Sequence, residues 1–236
     1  MSSRNLKLVI LGDSSVGKTS LMRRFVNNDF SNAYKATIGL DFLNKSVLVR
    51  ETNEDGTEGP ETKVQLAIWD TAGQESFSQI SVASLRGADA CMLVFDLSRP
   101  STVDSLNRWR SSLDDALCIG DGDDDSEMES DGEGGERERI PFPLVVIANK
   151  VDDIESTRIV KPLLVRAQGA LSDARHIVEV FAASAKAGDG VDTAFERAAL
   201  LGLKRQRELN QSNEGQELDS LTQSLDMEEV VTPCSC

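Results

Sequence analysis

The stretch Gly12-Asp-Ser-Ser-Val-Gly-Lys-Thr19 lies between an apolar run, Leu6 to Leu11, and a segment, Ser20 to Val26, that reads as a helix. Buried strand, glycine-containing loop and helix, in that order, are the context a phosphate cradle requires, and they place the chain in the α/β class. The glycines at 12 and 17 let the backbone wrap so that the N–H groups of Asp13, Ser14, Ser15, Val16 and Gly17 face a phosphate oxygen. The positive end of the helix beginning near Lys18 and Ser20 adds to that field. Lys18 brings an ammonium to the outer phosphates, and the Thr19 hydroxyl is a hard oxygen suited to magnesium. A plain glycine turn with a surface lysine would explain the residue types one by one, but not their order.

Three further stretches supply the other parts of a nucleotide site. Trp69-Asp-Thr-Ala-Gly-Gln-Glu75 follows the apolar run Val64 to Ile68. An acid at the end of such a strand, Asp70, can hold magnesium through a water. Gly73 has no side chain, so its N–H can approach a terminal phosphate. Gln74 can both accept from and donate to one water, which suits it to orient the attack on the γ-phosphorus. Lys18 and Gln74 are therefore the candidate catalytic pair.

Asn149-Lys-Val-Asp152 ends the apolar run Leu144 to Ala148, and Ser184-Ala-Lys186 follows Val178 to Ala183. Guanine presents two adjacent donors, N1–H and the exocyclic amine, and the Asp152 carboxylate offers two acceptors. Adenine lacks that donor pair, and sites of this kind reject the wrong ligand by ~10⁴-fold or more. Asn149 and Lys150 complete the base motif, and the Ser184-Ala185-Lys186 loop brings one more backbone N–H to the base. An adenine-specific P-loop kinase is disfavoured by Asp152 and by the lack of arginine-rich lid segments.

On these motifs the chain resembles a Ras-superfamily GTPase, and specifically a Rab. Leu21 to Asn27, Phe30 to Gly39, Asp41-Phe-Leu43 and the terminal Cys234-Ser-Cys236 are similar to the late-endosomal and lysosomal branch. The resemblance covers Asn5 to about Leu209 and implies a P-loop NTPase fold of the small G-domain type. That fold is a six-stranded, mostly parallel sheet flanked by helices. It also implies that Thr37 is the second hydroxyl ligand of magnesium and senses the γ-phosphate. Phe30 would lie against the guanine, and Tyr34 would close over the phosphates. The expected activity is GTP hydrolysis in a membrane-traffic switch, monomeric, cycling between cytosol and endosomal or lysosomal vesicles. An exchange factor, a GTPase-activating protein, a GDP-dissociation inhibitor or escort protein, and effectors at the switch surface are the implied partners. No arginine lies in Phe30 to Gly39, so an activating protein is expected to supply one in trans. Such a partner can supply a glutamine too, which leaves the role of Gln74 open. A GTP-binding scaffold with negligible hydrolysis is the alternative, because the effector-facing pattern departs from the family at Leu40, Ser76 and Leu85. In the family's aromatic triad, Phe42 and Trp69 fit and Leu85 takes the third place.

Composition bounds the rest. With 236 residues and 39% hydrophobic content, one domain (5–209) plus a tail (210–236) fits a single core. No apolar run approaches the ~18 residues of a membrane span, and no long apolar segment precedes Gly12 as a secretory signal would. Cys91 and Cys118 read as reduced structural thiols. The Cys-Ser-Cys ending matches a doubly geranylgeranylated terminus, and two lipid chains give stable anchoring. The net charge of −15, from 25 basic and 40 acidic residues, argues against nucleic acid as a partner. Much of it lies in 120–139, an acidic insertion with no apolar content beyond Met128, which is expected to be disordered. Residues 50–62 read as a shorter insertion, an extended hairpin loop, because Asp55-Gly56 and Gly59-Pro60 are turn signals. Glu208 to Val231 is polar and reads as a flexible linker.

Overall fold

The computed structural model describes residues 4–33, 37, 39–52, 57–71, 85–117, 140–154, 157–173 and 175–228. Its strands are β1 (Arg4–Leu11), β2 (Leu40–Thr52), β3 (Glu58–Thr71), β4 (Ala90–Asp96), β5 (Phe142–Asn149) and β6 (His176–Ala182). They form one sheet in the order β2-β3-β1-β4-β5-β6. Among the described residues only β2 and β3 run antiparallel; β1 is parallel to both β3 and β4, and β5 lies parallel between β4 and β6. The described α-helices are α1 (Lys18–Asn27), α2 (Ser101–Asp104), α3 (Leu106–Leu117), α4 (Val160–Leu171) and α5 (Val191–Glu228).

The central strands are apolar at nearly every position because both faces are covered. Successive side chains alternate between two cores. Leu6, Leu8 and Ile10 of β1, with Met92 and Val94 of β4, pack on the side that holds Leu21 and Phe25 of α1 and Phe195 of α5. Val9 and Leu11, with Leu93 and Phe95, pack on the other side with Trp109 and Leu113 of α3 and Ala167 of α4. The rings of Phe25 and Phe195 stack at 4.2 Å, 7° apart, and join α1 to α5. Cys91 is fully buried in β4, and burial pushes its thiol well above the usual range, as a structural thiol requires.

Chain order reverses about β1: the chain leaves it for β2 and β3 on one side, then returns to β4 on the other. In open α/β sheets ligands bind at the carboxyl ends of the strands beside such a reversal. Gly12, Asp70, Asn149 and the residues just after β6 all lie at those ends.

Three expectations are corrected. Most of 50–62 is strand, not loop: the β2–β3 ladder continues to the pair Thr52 and Glu58, with a register shift between Arg50 and Thr52. Gly59-Pro60 therefore lies within β3 at that irregularity, a place where a missing N–H is tolerated. Arg50 pairs with Glu58 and Glu61 there. Second, the stretch from Glu208 that reads as a flexible linker is helical as far as Glu228, as the continuation of α5. Its first half is packed on the core, so the tail extends an existing helix and avoids the cost of nucleation. Third, Leu85 is not on the effector surface. It is fully buried in the core on the α3 side. Phe42 of β2, 44% exposed, and Trp69 of β3 do lie together, with ring centroids 5.0 Å apart. Tyr34, Gly73, Gln74, Ser76, Cys118, the insertion 120–139, Cys234 and Cys236 lie outside the described residues.

The far edge of the sheet is tied to the helices by His176. Its ring nitrogens lie 2.8 Å from Asp114 of α3 and 2.8 Å from Asp173 after α4. Burial alone would raise the Asp173 carboxyl, but hydrogen bonds from His176 and from the Arg175 N–H outweigh it and hold the group at about 2. A carboxylate lowered in the folded state stabilises the protein above its unfolded value near 3.9 and loses that contribution as pH falls toward 2. Because Asp173 is partly exposed, solvent screening reduces the effect. Asp173→Asn is expected to cost about 1 kcal/mol at pH 7, with the difference from wild type vanishing near pH 2. Urea unfolding at a series of pH values measures it.

Candidate nucleotide-binding site

The loop from Gly12 to Gly17 is held from inside and outside. At Gly12 a Cβ would fall 2.3 Å from the carbonyl of Val94, and its φ is +145°, so the position admits no side chain. Ser15 adopts a left-handed φ of 64°, the kind of turn that aims successive amides to one side. Lys18 is buried, and its Nζ donates to the carbonyls of Gly12 (2.8 Å) and Asp13 (2.9 Å). An ammonium has three donors, so one remains for a phosphate. Burial lowers the Lys18 ammonium to about 8, against the pull of Asp70 and Asp13.

Thr19, Thr37 and Asp70 come together although they belong to three separate segments. The Thr19 and Thr37 hydroxyls are 2.7 Å apart, and the Thr19 hydroxyl also donates to Asp70 Oδ2. Asp70 is fully buried at the end of β3, and burial raises its carboxyl to about 6, against hydrogen bonding from Thr19 and the charge of Lys18. Its Oδ1 is buried without a hydrogen-bond partner. Two hydroxyls and a carboxylate are the hard oxygen donors that magnesium takes, and an orphaned acceptor beside them fits a cation better than it fits a packed core.

The base motif is built into the same wall. Asn149 is buried at the end of β5; its Nδ2 donates to the Val16 carbonyl (2.8 Å), and its Oδ1 accepts from the Ala185 N–H (3.1 Å). A Cβ at Gly17 would sit 2.3 Å from that same Nδ2, so the second loop glycine is needed for the base motif as much as for the phosphate. Ser184 is buried, and its hydroxyl donates to Asp152 Oδ1 (2.5 Å); Lys186 Nζ lies 3.5 Å from Oδ2. Burial would raise the Asp152 carboxyl, but Ser184, a backbone N–H and Lys186 outweigh it and leave it below the usual range. It is thus a ready two-acceptor group.

Between these walls lies a cleft of about 740 Å³, lined by Ser14, Ser15, Gly17, Lys18, Thr19 and Ser20 on the phosphate side. Asn149, Lys150, Asp152, Ala185 and Lys186 line the base side, and Phe30 and Thr37 the remaining edge. Val16 turns its side chain into the core and contributes backbone only. Asp13 faces away: its carboxylate accepts from Trp109 Nε1 at 2.8 Å and from Arg108.

Sequence reasoning missed the groups that support this site. Fully buried Asp96 accepts from Lys150 (2.6 Å) and Arg99 (3.0 Å), while Arg99 also donates to the Ser14 carbonyl (2.9 Å). Asp96 thereby joins the base motif to the phosphate loop. Burial opposes the charge on Asp96, yet the hydrogen bonds from Lys150, Ser98 and Arg99 keep its carboxyl below the usual range. The available signal was an acid ending an otherwise apolar strand, the same pattern that marked Asp70.

The model of the Ras family matches residues 7–123. The Ypt/Rab-type GTPase YPT7 of Saccharomyces cerevisiae is 38% identical over the whole of both chains. The Ras-related protein Rab7 of Pisum sativum is 41% identical over 84% of this chain and 82% of its own. The Ras-related protein RABG3d of Arabidopsis thaliana is 42% identical over 83% of this chain and 82% of its own.

Proposed function

The chain belongs to the Ras family, among its Ypt/Rab-type members, and from that premise we propose that it is a GTP-hydrolysing switch of membrane traffic at the late endosome or vacuole. It binds GTP and GDP in the cleft between the phosphate loop and the base motif. The observation that carries this reading is Thr37: its hydroxyl meets Thr19 at 2.7 Å, and Thr19 meets Asp70. A residue between α1 and β2 is thereby linked to the phosphate end of the cleft, as a γ-phosphate sensor must be.

Mg²⁺ fits Thr19, Thr37 and, through a water, Asp70, and when bound it neutralises charge on the β- and γ-phosphates. Lys18 and the amides of 13–17 hold the phosphates, Asp152 and Asn149 hold the guanine, and Phe30 covers the guanine from the remaining edge of the cleft. Gly73 N–H and Thr37 anchor two segments to the γ-phosphate, with Tyr34 closing over it. Gln74, alone or with a glutamine of the activating protein, orients the water. Loss of the γ-phosphate releases both anchors, an order–disorder switch that effectors read. Exchange factor, activating protein and GDP-dissociation inhibitor complete the cycle. Prenyl groups on Cys234 and Cys236 attach the protein to the cytoplasmic face of the membrane; among the described residues no helix is long and apolar enough to cross one.

Single-turnover hydrolysis of Mg–GTP, with and without a Rab-activating catalytic domain, tests the proposal. Slow intrinsic hydrolysis is expected, accelerated by about 10³-fold or more when an arginine is supplied in trans. Gln74→Leu should lose that acceleration if Gln74 orients the water, and keep it if the partner's glutamine does. Tight GTP binding with no hydrolysis under either condition would overturn the switch in favour of a non-cycling scaffold.

A further inference from the structure

We infer that Arg24, at the end of α1, is a positioning residue for guanine specificity: it pins the Ser184–Lys186 loop so that Asp152, with Asn149 bracing the same loop, can read the purine 2-amino edge. The inference rests on the nucleotide-binding reading above and adds a residue that reaches the base side of the cleft through the backbone carbonyls of Ala185 and Lys186.

Arg24 lies in the last turn of α1, where a basic residue that caps terminal carbonyls is ordinary. That role accounts for one part of its guanidinium: Nη1 donates to the carbonyl and Oδ1 of Asn28, both at 3.1 Å. The other edge does something else. Nε donates to the Ala185 carbonyl at 2.8 Å and Nη2 to the Lys186 carbonyl at 2.7 Å, groups more than 160 positions away in sequence. A planar fork meeting two consecutive carbonyls fixes both the position and the tilt of the loop, which a single ammonium cannot do.

The loop pinned in this way is the one that holds the base readers. Ala185, whose carbonyl Arg24 takes, gives its N–H to Asn149 Oδ1. Ser184, the preceding residue, gives its hydroxyl to Asp152 Oδ1. The turn behind them is tight: Gly188 N–H donates to the Ser184 carbonyl at 2.7 Å, and a Cβ at Gly190 would lie 2.4 Å from the Ala182 carbonyl. A tilt at Ala185 is therefore passed to both reading side chains instead of being absorbed within the loop. The guanidinium also lies 5.9 Å from the Phe30 ring, so the same residue braces the edge of the cleft where the base lies.

The test measures dissociation of GDP and of IDP, which lacks the 2-amino group, from wild type, Arg24→Ala and Arg24→Lys, with ADP as a control. Wild type should retain GDP roughly tenfold longer than IDP, the effect of one hydrogen bond to a charged acceptor. Arg24→Ala should release GDP about tenfold faster and IDP only about twofold faster, so the preference for the 2-amino group shrinks about fivefold. Arg24→Lys keeps the charge but not the fork and should recover less than half of the lost preference. If Arg24→Ala or Arg24→Lys releases both nucleotides faster by the same factor, or leaves both unchanged, the positioning role is overturned. Should the alanine variant not fold, the lysine variant decides by the same ratio. Wild type that holds ADP as long as GDP would overturn the guanine-binding reading itself.

Discussion

Lys18→Ala is expected to weaken GDP and GTP binding by about 10³-fold or more while leaving the fold in place. The ammonium bridges the Gly12 and Asp13 carbonyls, which shapes the loop, and offers its remaining donor to the phosphates. Hydrogen bonds involving a charged partner contribute roughly 1.5–3 kcal/mol each, and two or three lost together reach the ~4 kcal/mol that corresponds to 10³ in affinity. Burial lowers the ammonium to about 8, so it is already mostly charged near neutrality, and a bound phosphate would hold the proton more firmly still. Titration with fluorescent GDP, beside circular dichroism of the same samples, measures the effect. A change of less than tenfold would remove Lys18 from the phosphate site.

The second large effect is expected at Asp152. Asp152→Asn should weaken GDP binding by roughly 10³-fold or more, since a site built on buried hydrogen bonds rejects a ligand that leaves them unpaired. The carboxylate presents two acceptors and is kept ionised by Ser184 and Lys186 despite burial. An amide presents one acceptor and one donor, which matches the N1–H and C2 carbonyl of xanthine. The variant should therefore bind xanthosine diphosphate better than GDP, reversing the wild-type order. Competition of GDP, XDP and ADP against a fluorescent nucleotide reads this directly. A variant that weakens all three alike would place Asp152 in the structure of the loop instead of in base recognition.

Much of this architecture is legible in the chain because the informative patterns are local. Apolar runs at Leu6–Leu11, Val64–Ile68, Ala90–Phe95 and Leu144–Ala148 fall within strands, and Val178–Ala183 overruns β6 by a single residue. Such runs need only the rule that a strand covered on both faces has no room for polar side chains. The glycines at 12 and 17 stand out for a local reason as well, yet the groups that exclude a side chain there are remote: the Val94 carbonyl and the Asn149 amide. Where local signals conflict with long-range packing, the chain misleads. Gly59-Pro60 looks like a turn, but the ladder resumes beyond it at Thr52 and Glu58, with Arg50 paired to Glu58 and Glu61 across the irregularity. Leu85 looks like a surface substitution until the core on the α3 side closes over it. The polar tail looks like a linker until a packed helix precedes it.

The identity of the ligand follows from the sequence alone, because each motif carries its chemistry within a few consecutive residues: amides and an ammonium for phosphate, hydroxyls and an acid for a hard cation, a carboxylate for guanine's donor pair. Tertiary structure alone decides which of these groups are held, and by what. Arg24 on the carbonyls of Ala185 and Lys186, Asp96 between Lys150 and Arg99, and Trp109 on Asp13 each join residues far apart in the chain. Sequence spacing sets the direction of a side chain only within one helix or strand. Across elements, the meeting of a donor and an acceptor depends on sheet order and register, which no single segment contains.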